Sequence, residues 1–132
     1  MIIKQISVFI ENRSGRLAEV TSIIAEAGCS IRALSIADTT NFGILRLIVE
    51  ETEKAEDALR KHGLAVSSTN VVSVRIEDKP GGLAKVLRLL SDNEFTVEYM
   101  YAFISKSDNE AQVVMHIDNA LKADELLTKS GY

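Results

Sequence analysis

The sequence predicts an α+β fold made of two copies of one unit, and three observations support this prediction. Residues 10–20 return 66 positions later as residues 76–86, with six of the eleven positions identical. Residues 54–63 match residues 122–131 at an offset of 68, which places a two-residue insertion near Lys106–Glu110. The same strand and helix patterns also occur in the same order in both halves. We therefore predict one unit at residues 1–69 and a second at residues 70–132.

Each unit opens with a strand, a turn and a helix. In residues 6–10 and 72–76 every second residue is apolar, a period that is typical of a half-buried strand. A turn follows, and it contains Gly15 in the first unit and Gly81 in the second. Apolar residues then recur at helical spacing in 17–24 and 83–90, which predicts a helix with one apolar stripe.

Two strands and a second helix complete the pattern. We predict strands at 30–37 and 44–50 in the first unit and at 96–104 and 112–118 in the second. The second helices are predicted at 53–62 and 121–130, each followed by a glycine. A last strand is predicted at 64–69, which gives the ferredoxin-like order βαββαβ, an antiparallel sheet with both helices on one face.

The second unit has no counterpart of the last strand. The edge of its first strand, at 71–77, would then lie open, and natural proteins seldom leave a strand edge bare. We therefore expect either a partner or further chain beyond residue 132 to cover this edge.

Composition excludes several classes of function. A hydrophobic content of 46% is enough for a packed core, and a formal charge of −4 without a basic stripe argues against nucleic acid as a partner. There is no signal peptide and no apolar run of about 18 residues, so we expect a cytoplasmic protein without a membrane partner. Cys29 is the one cysteine and is interpreted as a small buried hydrophobe.

No constellation of residues indicates catalysis. His62, His116 and Cys29 stand at unrelated positions and do not resemble a metal site. No pair of carboxylates or of nucleophile and base is marked by a motif. We therefore predict that the chain is not an enzyme, with no catalytic residue, no metal ligand and no cofactor.

The repeated turn is the candidate binding site. The first amides of a helix lack partners within the helix and, with the helix dipole, favour a carboxylate or another anion. A glycine allows a ligand to approach the backbone closely. Asn12 and Asp78, three residues before the glycine, are suited to an amine. The local pattern also fits a plain helix cap, and both interpretations stay open here.

The second turn carries a family resemblance. Glu77-Asp78-Lys79-Pro80-Gly81-Gly82-Leu83, between a strand and a helix, resembles the turn Asp/Asn-x-Pro-Gly-x-Leu of the ACT domain. The first turn is similar, with Ser14 in place of proline. The resemblance covers essentially the whole chain as two tandem copies. ACT domains are small modules that sense ligands and regulate amino-acid metabolism.

The resemblance implies that a free amino acid binds at the interface between ACT units, near the two turns, and that the chain forms a homodimer. Carried over residue by residue, the resemblance implies that turn residues in both units contact the ligand. It also implies that the starts of the second strands form the opposite wall of each binding site. The turn residues are Asn12, Arg13, Ser14, Gly15, Arg16 and Leu17 in the first unit and Asp78, Lys79, Pro80, Gly81, Gly82 and Leu83 in the second. The opposite walls are Ser30, Ile31, Thr96 and Val97.

Three alternatives to this sensor remain. The first is a regulatory subunit that docks on a separate enzyme of amino-acid biosynthesis and keeps only vestigial ligand sites. The second is an RNA binder with the same fold, which the negative charge disfavours. The third is a small enzyme, which the absence of a catalytic constellation disfavours.

Overall fold

The computed structural model describes residues 1–38, 41–104 and 109–132. Within them it contains six strands and four helices, in the order β1 (Ile2–Glu11), α1 (Arg16–Glu26), β2 (Ile31–Asp38), β3 (Phe42–Val49), α2 (Thr52–Lys61), β4 (Ala65–Glu77), α3 (Gly82–Asp92), β5 (Val97–Ala102), β6 (Glu110–Ile117) and α4 (Ala120–Lys129). The predicted α+β class with antiparallel strands is confirmed. Most of the predicted insertion near Lys106–Glu110 lies outside the described residues.

The chain divides into two compact units. The first unit is Lys4–Thr69, and the second unit is Asn70–Tyr132 together with Met1–Ile3. The sequence prediction differs from this division only in placing residues 1–3 in the first unit.

The first unit has the strand order β2-β3-β1-β4, with β4 contributing its first residues. β1 and β3 are antiparallel, with Ile6 opposite Leu47 and Val8 opposite Leu45. One face of this sheet packs against α1 and α2, and the residues at the centre of that core, Ile6, Val8, Val20, Ile24, Leu45, Leu47 and Leu59, are fully buried. Cys29 belongs to the same core and is 7% exposed, as its interpretation as a small hydrophobe requires.

The second unit repeats this arrangement with β4, β6 and β5. β4 and β6 are antiparallel, with Val72 opposite Met115 and Glu77 opposite Glu110. Its separate core contains Val72, Val86, Leu90, Met115 and Leu127. Val86 is the repeat equivalent of Val20, and both are fully buried. The two units therefore build their cores from corresponding positions.

Two predictions about the strands were wrong. The strands predicted at 64–69 and 71–77 are one strand, β4, that runs without a break from Ala65 to Glu77. The edge at 71–77 is also not left bare. The N–H of Ser73 donates to the carbonyl of Met1 at 2.8 Å, and the amino group of Met1 donates to the carbonyl of Ser73 at 3.0 Å.

The first residues of the chain thus cover part of the edge for which a partner or further chain was predicted. The amino group of Met1 also forms an ion pair with Asp124 at 2.5 Å, and Ile2 packs against the core of the second unit. None of the described helices is both long enough and apolar enough to cross a lipid bilayer.

Candidate ligand-binding site

The two turns share one backbone conformation. Gly15 and Gly81 have φ angles of 82° and 86°, in the left-handed region. A Cβ atom added at either position would meet no atom within 4 Å. The backbone angle, and not crowding, therefore requires glycine here, since other residues adopt this conformation at a cost of about 1–2 kcal/mol.

Glycines occupy the N-cap positions of both helices that follow the turns. The residues that precede α1 and α3 are Gly15 and Gly81, and neither helix begins with a hydrogen bond from a side chain. A glycine has no side chain that could cap a helix, and Asn12, Ser14 and Asp78 lie outside the N-cap positions. The interpretation of the turns as ligand sites stays a prediction.

Some of the main-chain N–H groups of the second turn donate hydrogen bonds within the protein. The N–H of Asp78 donates to Asn109, that of Lys79 to Glu77 and that of Gly82 to Lys79, at 2.9, 2.9 and 3.1 Å. Among the residues that the structure describes, the N–H groups of Gly81, Leu83 and Ala84 have no hydrogen-bond partner. These three donors, at the first turn of α3, remain available to an anion.

A cavity of about 450 Å³ opens beside the second turn. Pockets of roughly 300–1,000 Å³ are usual for small ligands. The lining comes from the end of β4, the turn, the start of α3, the start of β6 and the residues after α4. These residues are Arg75, Ile76, Glu77, Lys79, Pro80, Gly81, Gly82, Lys85, Glu110, Ser130, Gly131 and Tyr132.

Four of the predicted site residues line this cavity, namely Lys79, Pro80, Gly81 and Gly82. Asp78 and Leu83 belong to the same turn but do not line it. The predicted site residues of the first turn, 12–17, surround Gly15 in the equivalent position of the first unit.

The predicted opposite walls lie far from the turn of their own unit. Val97 pairs with Ile117 on β6, whereas Glu110, which pairs with the last residue of β4, is seven positions earlier. At the usual rise of a strand this separation is about 24 Å. In the first unit Ile31 pairs with Val49 and Phe42 pairs with Glu11, so the same separation holds. The placement of Ser30, Ile31, Thr96 and Val97 at an interface near a turn stays a prediction.

At Gly82 the strand before the second turn and the helix after it approach each other more closely than the sequence indicates. A Cβ atom at this position would lie 2.2 Å from the carbonyl oxygen of Glu77, far inside van der Waals contact. The end of β4 and the start of α3 therefore approach each other at a distance that only glycine permits. The equivalent residue of the first turn is Arg16, so the first turn does not share this close approach.

Ion pairs differ between the two turns. In the second, the Lys79 ammonium group contacts the Glu77 carboxylate, and this hydrogen bond lowers the pKa of Glu77 and raises that of Lys79. The more distant charge of Lys85 lowers the pKa of Glu77 further. In the first turn, Arg13 contacts Glu11 at 3.1 Å and Arg16 contacts Glu19 at 2.9 Å.

The sequence prediction missed several lining residues, among them Arg75, Lys85, Glu110 and Tyr132. They come from four separate segments, so no local motif contains them. A comparison of the two repeats could have indicated two of these residues. Arg75 stands where the first unit has Phe9, and Lys85 stands where it has Glu19. Both are changes of charge next to a conserved turn.

The histidines have structural partners. His116 stacks on Tyr99, with ring centroids 4.9 Å apart, and its Nδ1 lies 2.6 Å from a carboxylate oxygen of Glu98. His62 Nδ1 lies 2.8 Å from the carbonyl oxygen of Ala58. Within residues 1–38, 41–104 and 109–132, no group of three His, Cys, Asp or Glu side chains is placed to hold a metal ion.

The family model for the ACT domain pair matches residues 1–131. This match covers nearly the whole chain and agrees with the two units and their turns. The protein therefore belongs to the ACT domain family, as an ACT domain pair.

Solved structures agree with this assignment. Protein BT0572 from Bacteroides thetaiotaomicron is 43% identical, with a TM-score of 0.92 over 98% of this chain and 89% of that one. The ligand-free regulatory subunit of aspartate kinase from Thermus thermophilus is 15% identical, with a TM-score of 0.69 over 100% of this chain and 98% of that one. The regulatory subunit from Thermus flavus is 16% identical, with a TM-score of 0.65 over 100% and 96%. No curated protein matches the sequence.

Proposed function

We propose that this ACT domain pair is a regulatory protein that binds a free amino acid, with the cavity at the second turn as its main site. The observation that carries this proposal is the position of the cavity. It opens beside the turn that the family resemblance marks for ligand binding, and its lining includes four residues of that turn.

The chemistry of the cavity suits a zwitterion. Gly81 lines the cavity, and its N–H, which has no partner among the described residues, is a donor for a carboxylate. The helix dipole of α3 adds to the attraction. Glu110 lines the same cavity and provides a carboxylate for the ligand's ammonium group. Asp78, the acceptor predicted from the sequence, stands between the lining residues Glu77 and Lys79 but does not itself line the cavity.

Regulation requires that the ligand prefer one state of the protein over another. A ligand that binds two states of the protein with equal affinity does not change their populations, so regulation requires different affinities for the two states. The regulatory subunits of aspartate kinase from two Thermus species share this fold. We propose, by that analogy, that the change of state is passed to a separate protein or to a second copy of this chain in a cytoplasmic homodimer.

The experiment is a thermal-shift screen of the full chain against the twenty amino acids, followed by calorimetry. A ligand at 100 times its dissociation constant should add about 2.7 kcal/mol to the free energy of unfolding. Gly81→Leu places a side chain in the open space of the turn and should abolish binding.

Gly63→Leu is the matched control, because Gly63 has a φ of 78°, no neighbour within 4 Å of its Cβ position and no part in the cavity. The two variants should lose similar stability, and only Gly81→Leu should lose affinity. Unchanged affinity in Gly81→Leu would show that the ligand binds elsewhere.

Docking on a separate enzyme is the second candidate function. A regulatory subunit is by its name part of a larger assembly, and two proteins with this fold carry that name. If none of the twenty amino acids stabilises the chain and the chain co-purifies with an enzyme of amino-acid biosynthesis, this second function replaces the first.

A further inference from the structure

The charges around the two turns have diverged although their backbones have not. Phe9 and Glu19 of the first unit correspond to Arg75 and Lys85 of the second, at an offset of 66 residues. Positions 9–19 carry two cations and two anions, whereas positions 75–85 carry three cations and two anions. Arg75 and Lys85 are two of these three cations. Both cations line the cavity.

The first turn neutralises its own cations. Arg13 lies 3.1 Å from the carboxylate of Glu11 and 4.0 Å from that of Glu19, and Arg16 lies 2.9 Å from Glu19. The carboxylate of Glu19, in the first turn of α1, also stands where the helix dipole favours an anion. An external anion would have to displace these contacts.

Two of the three cations of the second turn have no ion pair among the described residues. Outside the undescribed residues 39–40 and 105–108, Lys79 and Glu77 are the charged residues of this turn that form an ion pair. Within the described parts of the chain, Arg75 and Lys85 have no ion pair and no side-chain hydrogen bond. Arg75 and Lys85 therefore have no directly bonded partner among the described residues, although the charge of Lys85 also acts on Glu77 and lowers its pKa. Both line the same cavity as Gly81 at the start of α3.

One carboxylate of the cavity is likewise unneutralised. Glu110 lies opposite Glu77 in the pairing of β4 with β6, where two like charges repel each other. Glu77 has Lys79 as its partner, whereas Glu110 has no ion pair among the described residues. A cationic group in the cavity would relieve this repulsion.

We propose that the second turn selects an α-amino dicarboxylate, that is, an acidic amino acid, and that the first turn does not bind it. The proposal rests on the proposed function and names the class of its ligand. One carboxylate of the ligand meets the N–H of Gly81 at the start of α3, the second meets Arg75 and Lys85, and the ammonium group meets Glu110. A neutral amino acid satisfies the first and third contacts only.

The test compares charged and uncharged ligands of equal shape by calorimetry on the full chain. Aspartate and glutamate should bind at least about tenfold more tightly than asparagine and glutamine, because hydrogen bonds between charged groups contribute about 1.5–3 kcal/mol. Succinate, which has both carboxylates but no amine, should bind more weakly than aspartate. Inorganic phosphate should not compete. One mole of aspartate or glutamate should bind per mole of chain.

Two variants test the cations. Arg75→Gln and Lys85→Gln should each reduce the affinity for the acidic ligand by about tenfold while leaving the affinity for its amide unchanged. Arg88→Gln is the matched control, since Arg88 is an exposed cation one turn further along α3 that does not line the cavity. It should change neither affinity.

The outcomes separate this inference from the proposed function. If amino acids bind but asparagine and glutamine bind as tightly as their acids, the charge selection is wrong and the proposed function stands. If two acidic ligands bind per chain with similar affinity, the assignment of the first turn is wrong. If phosphate competes with aspartate, the cavity is a general anion site. If no amino acid binds at all, both proposals are overturned together.

Discussion

The close approach of Gly82 to Glu77 permits a quantitative test of the second turn. In Gly82→Ala the new Cβ atom would lie 2.2 Å from the carbonyl oxygen of Glu77 and 3.3 Å from the carbonyl carbon. Both neighbours are backbone atoms at the end of β4, so no flexible side chain can move aside. The strand and the helix must separate by about 1 Å or more to restore an ordinary contact.

Overpacking of this kind costs roughly 1–3 kcal/mol, and a rigid backbone neighbour places Gly82→Ala near 3 kcal/mol. For a chain of this length such a loss lowers the melting temperature by roughly 10–15 °C. The assay is urea unfolding followed by circular dichroism, in which the midpoint should fall and the slope should stay the same.

Arg16→Ala is the matched control, because Arg16 occupies the equivalent position and already carries a Cβ atom. Its side chain loses one ion pair with Glu19, which contributes less than about 0.5 kcal/mol. If Gly82→Ala has the same midpoint as the unchanged chain, β4 and α3 are not as close as the structure places them. The reasoning about the shape of the cavity would then fail with it.

Two further predictions concern the second unit. Replacing residues 1–3 by a single initiator Met removes two hydrogen bonds to Ser73 and the packing of Ile2, so the unit should lose about 2–3 kcal/mol. Tyrosine fluorescence during urea unfolding measures this, because all three tyrosines lie in the second unit, and an unchanged midpoint would contradict the pairing. In Lys79→Gln the pKa of Glu77 should rise toward the usual value near 4.5, as measured by NMR titration. The ion pair lowers the pKa of Glu77 in the folded protein, so the small stabilisation by this pair is present above pH 4.5 and is lost as the pH falls through the lowered pKa. If the titration of Glu77 is the same in Lys79→Gln as in the unchanged chain, the ion pair is contradicted.

The local patterns of the sequence were sufficient for most of the fold. The alternation of apolar residues in 6–10 and 72–76 predicted strands with one buried face, because every second residue of a strand lies on the same face. The positions of Gly15 and Gly81 marked the turns, since each glycine has a left-handed backbone that other residues avoid. Each of these features is decided within a few residues of the chain.

The features that were missed depend on distant segments. The strands predicted at 64–69 and 71–77 are one strand, β4, and their continuity through Asn70 was missed, because hydrogen bonds to neighbouring strands decide it. The pairing of Met1 with Ser73 joins residues 72 positions apart. The cavity needs Glu110 and Tyr132 beside the turn, and only the folded chain brings them there.

A comparison of the two repeats separates structural residues from functional ones. The identical pairs Ile10/Ile76 and Val20/Val86 are buried, and the identical glycines have the same left-handed backbone, so packing and geometry account for their identity. Identity between the turns is therefore weak evidence for binding. The stronger evidence is divergence on the surface of the cavity, where Arg75 and Lys85 replace an aromatic and an acidic residue and have no ion pair among the described residues. Three identical pairs are exceptions, because Glu11/Glu77, Leu17/Leu83 and Ala18/Ala84 are exposed and yet identical. Because burial explains them only in part, they are the next pairs for which an affinity measurement can distinguish packing from contact with the ligand.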